Sequence, residues 1–512
     1  MRAALALLVL AILSFLPFFN FPEWRGTEAR RVQIAAEMVE SGDYMVPRLW
    51  GEETYAKPPF YYWVLAGSFH VFGVKPWSAR LPSVLAFWLL AVVAFHFLRR
   101  WHDRTTARLG AGAVLVSPIV MHDVPFAEID PMFAVLTVLS MLCLSDGVFE
   151  RNRLRLIIAG LLGGLAVMTK GPPYLMFFLG PFVLWWKHNR LRGIVWYLPQ
   201  VIALYVAYKL VLDSVGPAQD VSQVAVQETV GRLKFWEWQS LKGIPGHIVG
   251  SVLVIGLPFS PWILKWFCET RLAGCRRAAR QNFLVWGALG AAVVLLFSKD
   301  RATRYMLPAV PMLLLGLAPL AARWLRDEQP PPDWVRRALS VVGVVAGLGV
   351  VAVAWVPHPY PGTTFLALIA LGCVVLVIHS KGQLVRFAVI MPFIIAWTAF
   401  PDRVRYAETT DDFVPARASV LARELSSRGI EEITTNGHVG TAILLHTREA
   451  LEGGSGKHLR VVGDYGQRRE TKGRYVIVVD RGSSELRRLP GYRDVLRVQL
   501  NRKKSLSLRE KK

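Results

Sequence analysis

Long runs of apolar residues recur along this chain from the N-terminus to about residue 400. Many of them approach about 20 residues, the length that an α-helix needs to cross about 30 Å of hydrocarbon. The runs are continuous and do not alternate with polar positions, which argues against a membrane β-barrel. The pattern predicts about thirteen membrane-spanning helices, at residues 3–20, 79–98, 107–122, 130–148, 155–170, 172–187, 193–213, 246–267, 282–298, 304–323, 337–356, 363–379 and 384–400.

Basic residues concentrate in alternate loops, as expected where positive charge keeps a loop in the cytoplasm. With the N-terminus inside, thirteen crossings place every basic cluster in the cytoplasm: Arg99–Arg104, Arg151–Arg155, Lys187–Arg192, Arg276–Arg280, Arg323–Arg337 and Lys381–Arg386. The same count places outside residues 21–78, Asp123–Asp130, 214–245 and everything after Phe400. The first run has no small-residue cleavage site before Glu23 and precedes many other spans, so it is predicted to remain as a helix.

The chain divides into two predicted domains, a transmembrane domain over 1–400 and a small soluble extracytoplasmic domain with a basic tail over 401–512. Within 21–78, an external loop, the pattern predicts two interfacial helices at Glu28–Ser41 and Pro58–Phe72, both too short to span. After Phe400 it predicts a helix at Asp411–Arg428 and strands at Tyr475–Asp480 and Val495–Leu500. The predicted fold class is therefore an all-α polytopic membrane protein with a small C-terminal α/β domain.

Composition agrees with a membrane protein, since 53% of the 512 residues are hydrophobic and only 19% are charged. Soluble proteins carry about a quarter charged residues. Much of the net charge of +23 lies in the cytoplasmic loops, and the chain shows no basic module interleaved with stacking aromatics, so we expect no nucleic-acid partner. The four cysteines are too scattered for a disulfide framework, and Cys268 and Cys275 match no zinc spacing.

Two carboxylates are predicted to lie on the external side near the hydrocarbon boundary. Glu28 follows the first span and Asp130 begins the fourth. Ionisable groups at such depth are costly and are candidates for function. The alternative is that each carboxylate only caps a helix, where the helix dipole favours an anion, and the proline after Asp130 suits that reading.

Positive residues gather on the same side, against the tendency of basic residues to stay inside. They are Lys57, Lys170, Lys299, Arg301 and Arg304. A lipid phosphate or diphosphate is the simplest group that would compensate them, with arginine offering two-point contact. Pairing with Asp300, Glu28 or lipid headgroups is the alternative.

Several segments resemble GT-C glycosyltransferases that use polyprenyl-phosphate sugars. The resemblance covers about residues 1–325, is closest to the lipid A aminoarabinose transferases, and extends more distantly to the protein O-mannosyltransferases. It is carried by Thr27-Glu28-Ala29-Arg30-Arg31, Ser41-Gly42-Asp43-Tyr44, Lys57-Pro58-Pro59-Phe60-Tyr61-Tyr62-Trp63, Ala127-Glu128-Ile129-Asp130, Thr169-Lys170-Gly171-Pro172, Pro261-Trp262 and Arg304-Tyr305-Met306-Leu307-Pro308. Members of that family often carry Asp-Glu where this chain has Thr27-Glu28, so the first acidic residue, frequently assigned as catalytic, is absent here.

The resemblance implies transfer of a sugar from a polyprenyl-phosphate donor to a lipid or glycan acceptor at the outer face of a bacterial inner membrane. It implies that Glu28 and Asp130 are catalytic, because a carboxylate stabilises an oxocarbenium-like state and assists the acceptor. Lys57 and Arg304 would hold the leaving phosphate, with Lys170, Lys299 and Tyr305 in supporting contact. No cofactor is required, although Mg²⁺ at the carboxylates stays open.

Three other functions compete with this interpretation. A lipid-linked sugar transporter or flippase would need charges deep within the spans, whereas most spans here are free of them. A protein O-glycosyltransferase would use the same donor chemistry with a different acceptor. A structural membrane scaffold would not need the outward-facing lysines and arginines.

Overall fold

The computed structural model describes residues 2–19, 24, 27–187, 191–215, 276–296, 303–325 and 414–435, with shorter segments between 444 and 511. Its helices up to residue 325 are α1 Arg2–Phe19, α2 Glu28–Ser41, α3 Phe60–Phe72, α4 Pro76–Trp101, α5 Arg104–Val116, α6 Pro118–Asp123, α7 Ile129–Glu150, α8 Arg153–Lys170, α9 Tyr174–Lys187, α10 Leu198–Val215, α11 Arg276–Leu296 and α12 Ala309–Leu325. Two 3₁₀ turns, Leu191–Trp196 and Thr303–Met306, precede α10 and α12.

Nine of the predicted spans fall on described helices. The other four, 246–267, 337–356, 363–379 and 384–400, lie outside the described residues. Within the described ranges, three helical segments are long and apolar enough to cross a membrane: Pro76–Trp101, Ile129–Glu150 and Gly193–Val215. The predicted interfacial segment at 58–72 forms α3, whose 13 residues cover about 20 Å and do not span.

One predicted span is interrupted. The run at 107–122 was expected to be a single helix, but α5 ends at Val116 and α6 begins at Pro118. Between them Ser117 is extended, with φ −63° and ψ 136°. A residue before proline avoids the α conformation because the proline ring clashes with it, and this explains the break.

Helix α7 lies at the centre of the described membrane region. It packs against α4, α8, α9, α11 and α12, and its side chains are buried on every face. A helix that is apolar all round and surrounded by other helices belongs to the interior of a bundle. Asp130 occupies its first turn, so this central position places the carboxylate inside the protein.

Glycines let α8 approach α10 closely. A Cβ added at Gly160 would lie 2.4 Å from the carbonyl oxygen of Tyr197, and one at Gly164 would lie 2.7 Å from that of Gln200. Small residues at helix contacts are how membrane helices bring their backbones together. The close contact fixes α10, which carries two tyrosines of the cavity described below.

A tight hairpin supports the loop that follows α2. Strands β1 Arg48–Leu49 and β2 Glu52–Glu53 are joined by Trp50 and Gly51, which have φ values of 57° and 83°. The Glu37 carboxylate accepts hydrogen bonds from the backbone N–H groups of Trp50, at 2.6 Å, and Gly51, at 3.0 Å. Positive φ at both turn residues is typical of a type I′ turn. This conformation costs free energy for tryptophan, and the hydrogen bonds to Glu37 offset that cost.

The C-terminal region contains helix α13, Val414–Ser427, and a five-stranded sheet in the order β4-β3-β5-β7-β6. The strands are β3 Glu432–Thr435, β4 Arg460–Gly463, β5 Tyr475–Arg481, β6 Tyr492–Asn501 and β7 Lys504–Lys511. Strand β3 is parallel to β4 and β5, and β7 is antiparallel to β5 and β6. The predicted helix and both predicted strands fall on these elements, while the separation of 401–512 as a soluble domain stays a prediction.

Candidate active site

A cavity of about 420 Å³ opens where α2, α7, α10, α11 and the turn between α8 and α9 converge. Its apolar wall includes Phe133, Leu175, Met176, Phe177, Val294 and Leu295. Its charged lining, among the described residues, consists of Arg30, Arg31, Lys57, Glu128, Asp130, Lys170 and Arg304. An apolar pocket with a few convergent polar groups is the usual form of a small-molecule site, and the excess of positive charge favours an anionic ligand.

Asp130 is held by two of these cations. The Lys170 ammonium donates to Asp130 Oδ1, and Arg304 Nε lies 3.9 Å from Oδ2. The side chains of Asp130 and Lys170 are 9% and 11% exposed, whereas that of Arg304 is 39% exposed and reaches into the open part of the cavity. The three groups join the start of α7, the end of α8 and the Thr303–Met306 turn into one charged cluster.

Lys170 is positioned by the end of its helix and by two aromatic rings. Gly171, with φ 91°, donates its N–H to the carbonyl oxygen of Val167 at 2.7 Å and turns the chain toward Pro172. The ammonium lies 4.4 Å from the ring centroid of Tyr305 and 5.1 Å from that of Phe133. Cation–π contacts of this kind help to hold the ammonium group in place.

Glu128 is a second carboxylate in the cavity lining. It precedes α7 in extended backbone, with φ −103° and ψ 157°. Its Oε1 accepts the Thr27 backbone N–H at 2.9 Å, and its Oε2 accepts the Thr27 hydroxyl at 2.6 Å. Burial raises the pKa of Glu128, and the neighbouring charge of Arg31 and the Thr27 hydrogen bond offset that effect only in part.

Arg31 connects this carboxylate to α3. Its Nη1 donates to the Tyr62 hydroxyl at 2.8 Å, while its Nε has no hydrogen-bond partner in the described region. Burial by itself would lower the pKa of Arg31, but Tyr62, Glu128 and Asp130 outweigh it and the pKa is raised. Arg31 therefore stays charged at the cavity wall with unused donor capacity.

Arg304 resembles Arg31 in its raised pKa and in an Nε that has no hydrogen-bond partner among the described residues. Burial would lower its pKa, whereas Asp130, Glu128 and Tyr305 raise it above its usual value. Its buried Nε lacks a hydrogen-bond partner in the described region. An arginine that lines a cavity with an unsatisfied N–H is suited to bind an oxyanion.

The structure places Glu28 behind the cavity wall. Its side chain is fully buried and is absent from the cavity lining of the described residues. Its two oxygens accept from Arg80 Nε at 2.8 Å and Nη2 at 2.9 Å, and Oε1 also accepts the Ala127 N–H at 2.8 Å. Glu28 thus holds the segment that leads into Glu128 and does not face the space where a ligand would lie.

Five other predicted site residues line the cavity together: Lys57, Asp130, Lys170, Arg304 and Tyr305. Lys299 and Arg301 lie outside the described residues. Seven further residues, to which the sequence patterns assigned no site role, also line it: Thr27, Arg30, Arg31, Tyr55, Glu128, Tyr205 and Tyr208. Glu128 could have been found, because it lies two residues before Asp130 at the same membrane boundary.

Within the described segments, no three His, Cys, Asp or Glu side chains lie close enough to hold a metal ion. Asp130 forms ion pairs with Lys170 and Arg304. These cations can perform the electrostatic work that a divalent ion performs at other phosphate sites.

The chain is similar in sequence to proteins of known function. A family model described as dolichyl-phosphate-mannose-protein mannosyltransferase matches residues 56–211, a range that contains Lys57, Glu128, Asp130 and Lys170. The undecaprenyl phosphate-alpha-4-amino-4-deoxy-L-arabinose arabinosyl transferase of Pseudomonas savastanoi pv. phaseolicola is 25% identical over 457 residues, covering 82% of this chain and 81% of the relative. A second relative with this name, arabinosyl transferase 1 of Pseudomonas fluorescens, is 28% identical. The match covers 68% of this chain and 64% of the relative.

The fold comparison agrees with the sequence comparison. One match is the crystal structure of ArnT from Cupriavidus metallidurans bound to undecaprenyl phosphate. The alignment covers 98% of this chain and 97% of the ArnT chain, with a TM-score of 0.69 and 18% sequence identity. The same protein in the apo state matches equally well. In its helical fold and over most of its length, the chain is similar to membrane glycosyltransferases of the lipid A aminoarabinose transferase type.

Proposed function

We propose that this protein transfers 4-amino-4-deoxyarabinose from undecaprenyl phosphate to a lipid A-like acceptor at the periplasmic face of a bacterial inner membrane. The observation that carries the proposal is the cavity, where five basic side chains surround two carboxylates beside an apolar wall, all among the described residues. A polyprenyl-phosphate sugar has the matching parts: an anionic phosphate between a polar sugar and an apolar chain. The names of the relatives supply the sugar and the carrier.

The basic residues act on the leaving group. As the bond between the anomeric carbon and the phosphate oxygen breaks, negative charge grows on the phosphate. Arg304 and Lys57 are assigned to that phosphate, with Lys170 and Tyr305 in support, since all four line the same cavity. Fixed cations in a site screened from water stabilise such charge without reorganising.

Asp130 acts on the sugar side. Positive charge develops on the anomeric carbon and ring oxygen, and a nearby carboxylate stabilises it. Its ion pairs with Lys170 and Arg304 also orient these two cations toward the phosphate. Glu28, which lies outside the lining, is assigned a positioning role through Arg80 and Ala127.

The test is a transfer assay with purified protein in lipid vesicles. Radiolabelled undecaprenyl phosphate 4-amino-4-deoxyarabinose is the donor, other polyprenyl-phosphate sugars are compared with it, and lipid A is the acceptor. Asp130→Asn should lower kcat by about 10²- to 10³-fold, the range found when one charge-stabilising group is removed from an active site. Glu52→Gln, which removes an exposed carboxylate from β2, is the matched control and should keep full activity.

Each part of the proposal can fail separately. Asp130→Asn with the kcat of the wild type would remove Asp130 from the mechanism. Efficient transfer of a different sugar, with none from the aminoarabinose donor, would overturn the sugar assignment. Transfer to a peptide in place of lipid A would favour a protein O-glycosyltransferase.

A further inference from the structure

Two carboxylates face the cavity, and their surroundings differ. Asp130 is engaged by Lys170 and Arg304, which are the groups assigned to the phosphate. Glu128 is held by Thr27, a neutral residue. Because charged partners occupy Asp130, it is suited to a purely electrostatic role, and a separate group is needed for any proton.

Glu128 has the capacity to take that proton. Thr27 donates one hydrogen bond to each of its oxygens, and a carboxylate offers about four acceptor positions in all. The side chain lies deep in the protein but is partly exposed to the cavity that it lines. An O–H group bound in the cavity can therefore reach a free lone pair of a carboxylate that Thr27 already holds in place.

Glu28 cannot serve in its place. Its Oε1 accepts from both Arg80 and Ala127, neither of which is in the described cavity lining, and its side chain is fully buried. The Thr27–Glu128 contact instead brings a carboxylate to the start of α2 from a segment about 100 residues later in the chain.

We propose that Glu128 is the catalytic base of this transferase, which removes the proton from the attacking O–H group of the acceptor. The inference rests on the proposed function and deepens it. The acceptor oxygen forms its bond to the anomeric carbon as the carbon–oxygen bond to the phosphate breaks. The bonding electron pair leaves with the phosphate oxygen, the acceptor proton passes to Glu128, and polyprenyl phosphate is released.

The acceptor chemistry follows from this step. The acceptor must carry an O–H group. A sugar or lipid hydroxyl supplies one, whereas a phosphate monoester supplies one only while it keeps a proton. A fully ionised phosphate would need no base. Comparing a lipid A acceptor with and without its phosphates distinguishes the two sources.

The electrostatics of the site support a base role. Burial raises the pKa of Glu128 above the ordinary carboxyl range of about 4.3, which brings it closer to the pH of the periplasm. The charged and titratable groups that face it are Arg31 from α2, Tyr61 from α3, Asp130 from α7 and Arg304 from the turn before α12. A base must be deprotonated to act, so kcat/KM should fall as the pH drops below this raised pKa.

The experiment compares the wild type with Glu128→Gln, Glu128→Asp and the double variant Thr27→Asp/Glu128→Gln. The assay is transfer from undecaprenyl phosphate 4-amino-4-deoxyarabinose to lipid A across pH 5 to 9, with undecaprenyl phosphate binding measured in parallel. Glu128→Gln should lose about 10²- to 10⁴-fold in kcat, the usual contribution of a general base, and should lose the acidic limb of the pH profile. Donor binding should stay within about threefold, because the glutamine oxygen can still accept the Thr27 N–H and its amide N–H can donate to the Thr27 hydroxyl oxygen.

The other variants separate chemistry from structure. Glu128→Asp should keep the acidic limb with reduced kcat. Thr27→Asp/Glu128→Gln should have a kcat at least about tenfold above that of Glu128→Gln. The reason is that the double variant places a carboxylate at position 27, beside the glutamine that replaces Glu128. Glu52→Gln serves again as the control with an exposed carboxylate.

Three outcomes would overturn the inference. One is a Glu128→Gln enzyme that retains the kcat and acidic limb of the wild type. Another is loss of donor binding together with activity, which would make Glu128 a donor-binding residue. Failure of the wild type to transfer any polyprenyl-phosphate sugar would instead overturn the proposed function and this inference with it.

Discussion

At the scale of single residues, the site is defined by which side chains share the cavity. Lys57 lines it from the segment between β2 and α3, where Pro58 and Pro59 restrict the backbone. Arg304 lines it from a 3₁₀ turn more than 240 residues later in the chain. Their convergence supports the assignment of both to one phosphate.

The first prediction concerns Lys57. Lys57→Met should weaken binding of undecaprenyl phosphate by about 10- to 100-fold, because a hydrogen bond to a charged group contributes about 1.5–3 kcal/mol and 1.4 kcal/mol is a factor of ten. Quenching of intrinsic tryptophan fluorescence on titration with undecaprenyl phosphate measures the change. Arg108→Met removes an exposed positive charge from α5 and is the matched control. Equal affinities in the two variants would exclude Lys57 from the phosphate site.

At the scale of elements, one buried ion pair joins three parts of the chain. Glu28 begins α2, Arg80 lies in α4, and the Ala127 N–H belongs to the segment that leads into α7. Arg80 is fully buried and also faces the rings of Trp24 and Phe126, at 5.8 Å and 5.6 Å. The pair therefore determines where the Glu128 backbone lies relative to Thr27.

The second prediction concerns this pair. Glu28→Gln or Arg80→Met should each lower the free energy of unfolding by about 3–5 kcal/mol, because removal of one partner leaves a buried charge uncompensated. The double variant Glu28→Gln/Arg80→Met should lose less than the sum of the two, since no lone charge remains. Thermal unfolding in detergent measures these changes. The exposed pair Glu424–Arg428 in α13 is the control, and Arg428→Ala should cost no more than about 0.5 kcal/mol.

If Glu28→Gln kept the stability of the wild type but lost transfer, Glu28 would act in the chemistry itself. Loss of both together, with activity in proportion to the folded fraction, would support the positioning role.

At the scale of the whole molecule, α7 carries a charged group near each end. Asp130 belongs to the active-site cluster, and Asp146, 16 residues later, accepts the Trp101 indole N–H at 2.8 Å and pairs with Arg100 and Arg155. Sixteen residues of helix cover about 24 Å, close to the thickness of the hydrocarbon core. We therefore expect the two charged clusters to lie at opposite boundaries of the membrane, and the basic loops predict that the Asp146 end is cytoplasmic.

The third prediction tests that orientation. In a variant whose four native cysteines are replaced by serine, Glu52→Cys should react with a membrane-impermeant maleimide added to intact cells, whereas Arg104→Cys should react only after the cells are opened. Both positions are exposed, and the predicted topology places them on opposite sides of the membrane. Labelling of Arg104→Cys from outside would reverse the topology and move the active site to the cytoplasm.

The C-terminal region contacts the side of the membrane domain that carries the cavity loop. Arg448 Nη2 lies 3.1 Å from Glu40 Oε1 on α2. The contact shows that Arg448 and α2 are neighbours, while the extracytoplasmic location of both segments stays a prediction. It also brings the sheet-containing region close to the helix that supplies Thr27 and Arg31.

Much of the membrane architecture followed from local sequence, with errors at prolines. Apolar length predicted the described spans, because only a helix of about 20 apolar residues satisfies its backbone in lipid. The break at Ser117–Pro118 was missed because a hydropathy window does not register the conformational limit that proline places on the preceding residue. Proline also delayed the start of α12, predicted at residue 304 and observed at Ala309, just after Pro308.

The sequence by itself determined that this chain is a polytopic membrane protein with carboxylates and cations at one boundary, because hydrophobic length and charge placement are local properties. Only the tertiary structure decided which carboxylate meets the cavity. Glu28 and Glu128 are alike in sequence, since each lies at a helix start and within a segment that carries the resemblance. Arg80, 52 residues from Glu28, withdraws that carboxylate into the interior, while Thr27, 101 residues from Glu128, holds the other at the cavity wall. Contacts between residues so far apart in the chain depend on tertiary packing, which a local sequence pattern does not reveal.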